Sequence, residues 1–539
     1  MFKFLFKKKK KKIHVEDIES KITEIVKEIP IIKELPPLSS IKDIRNFSVK
    51  YILIKGFAYA HIYWDPSLEI LKYDVIEPNL NEDEKEIYKT VKEKLFEKAD
   101  IDILDKDRVD RIKYIFNSVK KILDELKIRI EDISFYKIFY YIFRDTVGLG
   151  KIEPLMHDPY IEDISCDGVG IPVYICHRKY GNLRTNIVFE NEAELQSFII
   201  KLSQLAEKYI SYAEPYLDGI LPDGSRVNAT FSKDITTRGP TFTIRKFKRI
   251  PYTPLDLIRL KTLDFRSAAY LWWVIEHKAN ILIGGETSSG KTTLLNAICM
   301  FIPYDSKIIS IEDTRELQLY HENWIPSVTR EGYGPPDSYG RRYGEVNMFD
   351  LLKESFRQNP DYIVVGEVRG KEAYVLFQGM ASGHCCLSTI HADSFHSVIR
   401  RLSAPPINLS PELIENLDIL IFMVHAREKG AAARRIKEIV EIAGISPKTS
   451  SIEINKSFIW IPIEDTLKES STKVIFHRLS EKRGFYLGDI EEDLKEREIY
   501  LKWLYRKGIK DPLEFSKKIK EFQINREKII EEIKNEVKE

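Results

Sequence analysis

Cysteine is scarce in this chain of 539 residues, and the five that occur form no CxxC pair. An odd number leaves one cysteine unpaired in any complete disulfide scheme, and the spacing does not match a four-cysteine zinc module. The chain also lacks an apolar run of about 18 residues, the length needed to cross a bilayer. These absences predict a protein of a reducing compartment, with no disulfide framework and no membrane-spanning segment.

An excess of either charge is missing as well, because 84 Lys and Arg residues face 83 Asp and Glu residues. A near-neutral balance excludes a uniformly basic coat for nucleic acid, so any electrostatic partner must meet a local patch. Hydrophobic residues make up 43% and charged residues 31% of the chain, as in globular proteins. At roughly 100–200 residues per domain, the length predicts three or four domains.

The pattern of the sequence divides the chain into six parts. They are a basic and aromatic tail at 1–13, an adaptor region at 14–130, a small α/β domain at 131–248, a proline-containing linker at 249–254, a larger α/β core at 255–460, and a strand with charged helices at 461–539. The tail carries six consecutive lysines, Lys7–Lys12. Such a segment is either a tether to an anionic membrane surface or acidic partner, or a solvated basic tail.

Within the core, apolar strand runs alternate with amphipathic helices, which predicts a mainly parallel sheet. After one such strand, Gly285–Thr292 matches the pattern GxxxxGK[ST], and a helix follows it. In this context the backbone N–H groups surround phosphate oxygens, the lysine adds a charge, and the threonine hydroxyl binds Mg²⁺. The predicted nucleotide-binding residues are Gly285, Glu286, Thr287, Ser288, Ser289, Gly290, Lys291, Thr292 and Thr293.

Two further strands end in acidic residues. The strand that begins at Asp361 ends in Gly366-Glu367, so Glu367 is predicted to orient or deprotonate the attacking water and to contact Mg²⁺ through water. Glu312 follows another strand, close to Asp313 and Glu316, and is predicted to act in catalysis and on a Mg²⁺-bound water. The motifs DxxG and NKxD are missing from the expected positions, which favours ATP over GTP.

Histidines bracket a later strand at positions 384 and 391. Because seven positions separate them, they face opposite sides of an extended run, so at most one can reach the γ-phosphate. We expect His391, at the carboxyl end, to be that residue. No four-ligand spacing for zinc accompanies it.

Together, the four motifs resemble the ATPase superfamily of type II and type IV secretion machines. They correspond to its Walker A motif, aspartate box, Walker B motif in the form Gly-Glu-x-Arg, and histidine box. The phrases at 161–168, 221–228, 239–247 and 310–317 resemble the archaeal branch, which includes the archaellum motor and archaeal type IV pilus assembly ATPases. The tetracysteine zinc insert of many bacterial members is missing from this sequence.

The resemblance implies a RecA-like P-loop motor core, a PAS-like α/β N-terminal domain and an additional N-terminal adaptor region. It also implies a homohexamer that binds ATP and Mg²⁺ between two lobes. Family arginines reach the phosphates from the smaller domain. Arg226 matches such a catalytic position, and Arg238 and Arg245 are its companions in nucleotide binding.

The function expected from these features is ATP hydrolysis that drives a pilus, archaellum or secretion machine. The motor would be cytoplasmic, peripheral at the inner face of the membrane, and bound to a polytopic platform protein. Two alternatives stay open. One is a nucleic-acid translocase of the conjugation type, although the core lacks a dense basic groove. The other is a nucleotide-gated scaffold that does not hydrolyse ATP.

Overall fold

The computed structural model describes residues 35–36, 41, 43–97, 108–247, 250–332, 334, 337–338, 340–428, 431–449, 451–470, 473–484 and 486–536. The predicted tail at 1–13, with Lys7–Lys12, lies outside these residues. The chain divides into two compact units, Met1–Phe247 and Lys248–Glu539. The break falls one residue before the predicted linker at 249–254.

The N-terminal unit contains one sheet of nine strands in the order β1-β2-β3-β6-β5-β4-β9-β8-β7. All neighbouring strands in this sheet are antiparallel except β3 and β6, which are parallel. The strands are β1 (Ser48–Ile54), β2 (Ala58–Asp65), β3 (Ile70–Ile76), β4 (Ile161–Cys166), β5 (Pro172–His177), β6 (Gly181–Val188), β7 (Tyr216–Ile220), β8 (Arg226–Thr230) and β9 (Thr241–Arg245). The helices are α1 (Glu82–Glu97), α2 (Arg108–Glu125), α3 (Asp132–Thr146), α4 (Glu153–Met156) and α5 (Glu192–Leu205).

The described part of the adaptor region predicted at 14–130 is not separate from the small α/β domain predicted at 131–248. Strand β3 pairs with β6, with Tyr73 opposite Thr185, so strands from both predicted parts form one sheet. The hydroxyls of Tyr51 and Tyr73 also donate hydrogen bonds of 2.5 and 2.7 Å to the buried carboxylate of Asp158. Burial raises the pKa of Asp158. Helices α1–α3 pack around a second apolar core that includes Val91, Val119 and Phe139.

The C-terminal unit contains a second sheet of nine strands. The strands are β10 (Ile281–Gly285), β11 (Ile308–Glu312), β12 (Trp324–Val328), β13 (Tyr362–Val365), β14 (Cys385–Ile390), β15 (Ile419–Glu428), β16 (Ala431–Ile445), β17 (Ile452–Ile461) and β18 (Thr466–Glu469). The helices are α6 (Pro254–Arg259), α7 (Phe265–Glu276), α8 (Lys291–Cys299), α9 (Met348–Ser355), α10 (Glu372–Ala381), α11 (Phe395–Ser403), α12 (Pro411–Ile414), α13 (Val474–Arg483), α14 (Leu487–Arg506) and α15 (Pro512–Glu536).

The order of this sheet is β12-β11-β13-β14-β10-β15-β16-β17-β18. The strands from β12 to β15 are parallel, and the last three are added antiparallel. The predicted α/β class with a mainly parallel core is therefore confirmed. Because parallel strands end at the same edge, the segments after β10, β11, β13 and β14 meet there.

The helices of the region predicted at 461–539 pack into the same core as 255–460. Trp272 of α7 is fully buried, and its ring lies 4.8 Å from Phe522 of α15 and 6.3 Å from Tyr500 of α14. Helix α7 begins with a capping box between Asp264 and Ser267, which satisfies backbone N–H groups at its start. No helix within the described ranges is long and apolar enough to cross a membrane.

Candidate nucleotide site

The turn between β10 and α8 has backbone angles that favour glycine. The φ angles are +154° at Gly285, +61° at Ser288 and +96° at Gly290. A Cβ atom on Gly285 would lie 2.6 Å from Ser289 Oγ and 2.8 Å from the carbonyl oxygen of Met423, which leaves no room for a side chain. Helix α8 begins at Lys291, directly after the turn. The N–H groups at the start of a helix can bind an anion.

The other predicted residues of this turn differ in exposure. Glu286, Thr287, Ser288 and Thr293 are exposed, and Thr292 is half-buried on the first turn of α8. Ser289 is buried, and its hydroxyl donates a hydrogen bond of 2.8 Å to the carbonyl of Glu286. This bond tightens the turn in front of the helix.

The ammonium group of Lys291 lies inside the turn. The side chain is only 7% exposed, and Nζ donates to the carbonyls of Gly285 at 3.1 Å and Glu286 at 2.8 Å. Nζ also lies 3.3 Å from His391 Nδ1. Burial lowers the pKa of Lys291, and the nearby charge of Glu367 opposes this effect. The cation is thus held where phosphate oxygens would meet the helix N-terminus.

His391 connects Lys291 to Glu367. Its Nε2 lies 3.1 Å from Glu367 Oε1, while its Nδ1 faces the lysine. An ammonium group can only donate and a carboxylate can only accept, so these partners favour the neutral imidazole with its proton on Nε2. The chain Lys291–His391–Glu367 therefore orients the carboxylate at the mouth of the turn. His384 lies before the other end of β14, with its ring 5.0 Å from Phe356.

Glu312 ends β11 and is almost completely buried, with 2% of its surface exposed. Its Oε1 accepts hydrogen bonds from the backbone N–H groups of Glu316 at 2.9 Å and Leu317 at 3.0 Å. Its Oε2 is buried and has no hydrogen-bond partner within the described residues. Burial raises the pKa of Glu312 to about 7, although the two backbone bonds act in the opposite direction.

Gly366 stands where many P-loop strands carry an aspartate, and Glu312 takes up the space beside it. A Cβ atom on Gly366 would lie 3.1 Å from Glu312 Cγ. The unpaired Oε2 of Glu312 and the hydroxyl of Thr292 are oxygen ligands of the kind that Mg²⁺ prefers. No cluster of three or more His, Cys, Asp or Glu side chains that could hold a metal alone occurs among the residues described. The donor set therefore fits a metal bound together with phosphates.

Two arginines outside the predicted set contact the site. Arg369 Nη2 lies 2.6 Å from Asp313 Oδ2, which ties the segment after β13 to the segment after β11. Arg401 of α11 donates through Nη1 to the carbonyl of His391. Both arginines line a cavity of about 770 Å³ that also includes Gly285 and Thr287. The motif Gly-Glu-x-Arg carried a signal for Arg369, whereas Arg401 stands in a helix without a motif.

The three predicted arginines belong to the N-terminal unit. Arg226 of β8 forms a two-pronged ion pair with Asp218 of β7, at 2.8 and 3.2 Å, and both side chains are exposed. Arg245 of β9 lies 3.3 Å from Asp163. Arg226 and Arg245 line a groove of about 730 Å³ on this sheet. Arg238 is exposed in the preceding loop. Their part in nucleotide binding stays a prediction.

Comparison with known proteins places the chain in a family. Residues 148–425 match the family model described as type II/IV secretion system protein. The protein MJ0900 of Methanocaldococcus jannaschii is 38% identical over 426 residues, which cover 76% of each chain. The conjugal transfer protein TrbB of Rhizobium radiobacter is 32% identical over 236 residues, 43% of this chain and 68% of that one. The chain belongs to the type II/IV secretion system protein family.

Solved structures include more distant neighbours. The pilus retraction motor PilT with bound ADP has 17% sequence identity and a TM-score of 0.38, covering 70% of this chain and 95% of that one. The ATPase DotB of Legionella pneumophila has 20% identity and a TM-score of 0.37, covering 55% and 80%.

Proposed function

We propose that this chain hydrolyses MgATP to ADP and phosphate, and that the reaction drives a type IV pilus- or archaellum-like filament or a type II/IV secretion machine. The observation that carries the proposal is the contact chain Lys291–His391–Glu367 beside the phosphate-binding turn, with separations of 3.3 and 3.1 Å. A phosphate cradle, a cation and an oriented carboxylate meet there. Membership of the family supports the same activity.

Each group has a defined task in this proposal. The N–H groups at the start of α8 and the ammonium of Lys291 bind the phosphate oxygens. His391 donates a hydrogen bond from its Nε2–H group to Glu367 and holds the carboxylate in place. Glu367 orients the attacking water and accepts its proton. Mg²⁺ would supply charge neutralisation at the phosphates, held directly by Thr292 and through water by Glu312 and Glu367.

The remaining parts of the proposal concern assembly. Arg226, with Arg238 and Arg245, would give positive charge to the phosphates from the N-terminal unit of one subunit in a homohexamer. The hexamer would bind a polytopic platform protein at the cytoplasmic face of the membrane. Light scattering of the full chain with and without a slowly hydrolysed ATP analogue tests the ring. A pull-down from native membranes tests the platform protein.

Steady-state turnover of the full chain tests the activity directly. Replacing Lys291 or Glu367 with alanine should lower kcat at least about 100-fold, the scale of losing an essential acid–base group. The exposed residues Lys371 and Glu322 supply matched controls, K371A and E322A, which should keep wild-type turnover. Normal turnover in both K291A and E367A would contradict the proposal. Stimulation by single-stranded DNA with a steep salt dependence would instead favour the nucleic-acid translocase.

A further inference from the structure

The antiparallel hairpin formed by β15 and β16 contacts the outer side of the phosphate-binding turn. His425 Nε2 lies 3.0 Å from the carbonyl oxygen of Thr287, and Arg434 Nε donates to the carbonyl of Ser288 at 3.1 Å. A carbonyl oxygen only accepts, so the imidazole donates in the first contact. His425 and Arg434 face each other across β15 and β16, so one cross-strand residue pair supplies both donors.

These two contacts determine where the N–H groups of the turn point. In a planar trans peptide, the carbonyl and the N–H of the next residue point in opposite directions. Drawing the carbonyls of Thr287 and Ser288 towards the hairpin therefore turns the N–H groups of Ser288 and Ser289 away from it. Ser288 holds a positive φ of +61°, which a serine rarely adopts without such support.

Contacts of β16 with other segments hold this cross-strand pair in place. The hydroxyl of Thr262 donates to the carbonyl of Arg434 at 3.0 Å. The next residue, Arg435, is buried and pairs with Asp465 at 2.7 and 2.8 Å. A Cβ atom on Gly290 would lie 3.3 Å from Arg434 Cδ, so the arginine stem also packs against the turn.

We propose that His425 and Arg434 are positioning residues for the nucleotide phosphates, which hold the turn in its binding conformation before the nucleotide arrives. The inference rests on the proposed function, because it concerns the same site. Neither side chain belongs to a recognised motif of the sequence. Both act through the backbone of residues 287 and 288.

The test measures the affinity of the full chain for MgADP and for Mg²⁺ with a slowly hydrolysed ATP analogue by titration calorimetry. H425A and R434A should each weaken both affinities about 10-fold, the size expected from one lost hydrogen bond that orients a binding loop. The conservative variants H425Q and R434K keep a donor and should recover most of the loss. R427Q is the matched control, because exposed Arg427 lies on the same hairpin and has no hydrogen bond to the turn among the described residues.

Kinetics separates positioning from a general loss of structure. In H425A and R434A, KM for ATP should rise more than kcat falls, with an unchanged unfolding midpoint. If R434A unfolds at a lower temperature, H425A and its rescue by H425Q decide the matter. Wild-type affinity in both alanine variants, or an equal loss in R427Q, would overturn the inference. Failure of the wild-type chain to bind any nucleotide would instead contradict the proposed function.

Discussion

Replacing Glu312 with glutamine isolates the effect of one buried carboxyl group on the free energy of unfolding. The pKa of Glu312 rises from 4.5 to about 7 in the folded chain, because burial penalises the charged form. The folded state then binds the proton more tightly than the unfolded state. Stability is therefore greatest below pH 4.5, falls as the pH rises to about 7, and is constant above it with respect to this group.

The difference between the pKa values of Glu312 in the unfolded and folded chain corresponds to about 3 kcal/mol in the free energy of unfolding. The carboxamide oxygen of E312Q can still accept from the N–H groups of Glu316 and Leu317, so the variant keeps the hydrogen bonds without the charge. Between pH 4.5 and pH 7.5, the stability of E312Q relative to wild type should rise by about 3 kcal/mol. ATP turnover should fall in the same variant, because the role proposed for Glu312 on a Mg²⁺-bound water requires the carboxylate.

Urea unfolding followed by tryptophan fluorescence suits this measurement. Five of the six tryptophans, all except Trp64, lie in the C-terminal unit with Glu312. The exposed residue Glu322 provides the matched control E322Q, the same glutamate-to-glutamine replacement outside the site. A difference between E312Q and wild type that stays constant from pH 4.5 to 7.5 would show that burial does not raise the pKa of Glu312.

Three further predictions concern other parts of the chain. R226A should lower turnover at least about 10-fold with less than about 1 kcal/mol change in stability. D218N, which removes the exposed ion pair of Arg226, should keep wild-type turnover. Equal turnover in R226A and wild type would show that Arg226 does not act at the site. Y73F should destabilise the N-terminal unit by about 1–3 kcal/mol, seen as faster hydrogen exchange in β1–β3, because Asp158 loses a buried donor. W272A should lower the free energy of unfolding in urea by about 3–5 kcal/mol and make α14 and α15 accessible to proteases. Continued protection of these helices in W272A would contradict their packing on Trp272.

The parts of the molecule that the sequence predicts well are those encoded locally. The turn at Gly285–Thr292 is read from eight consecutive residues between a strand and a helix, and the structure has β10 and α8 there. The grouping of Glu312, Glu367 and His391 follows from one rule, since each side chain comes at the carboxyl end of a parallel strand. Their distances from one another require the structure.

The parts that the sequence does not predict depend on contacts between distant segments. The pairing of Tyr73 with Thr185, which joins the predicted adaptor region to the sheet, leaves no local pattern. The contacts of His425 and Arg434 with the turn are also invisible in the sequence, because the hairpin lies far along the chain and exposed polar residues on strands are common. Both features therefore depend on contacts between segments that are far apart in the sequence.

His391 and Glu367 should act as one unit beside Lys291, and a double-mutant cycle on kcat for ATP hydrolysis tests this expectation. The cycle compares wild type, H391A, E367Q and the double variant at saturating MgATP. If His391 acts by holding Glu367, the double variant should be no slower than E367Q alone. Losses that multiply would show that His391 and Glu367 act independently, and turnover that survives in E367Q would show that Glu367 is not the base.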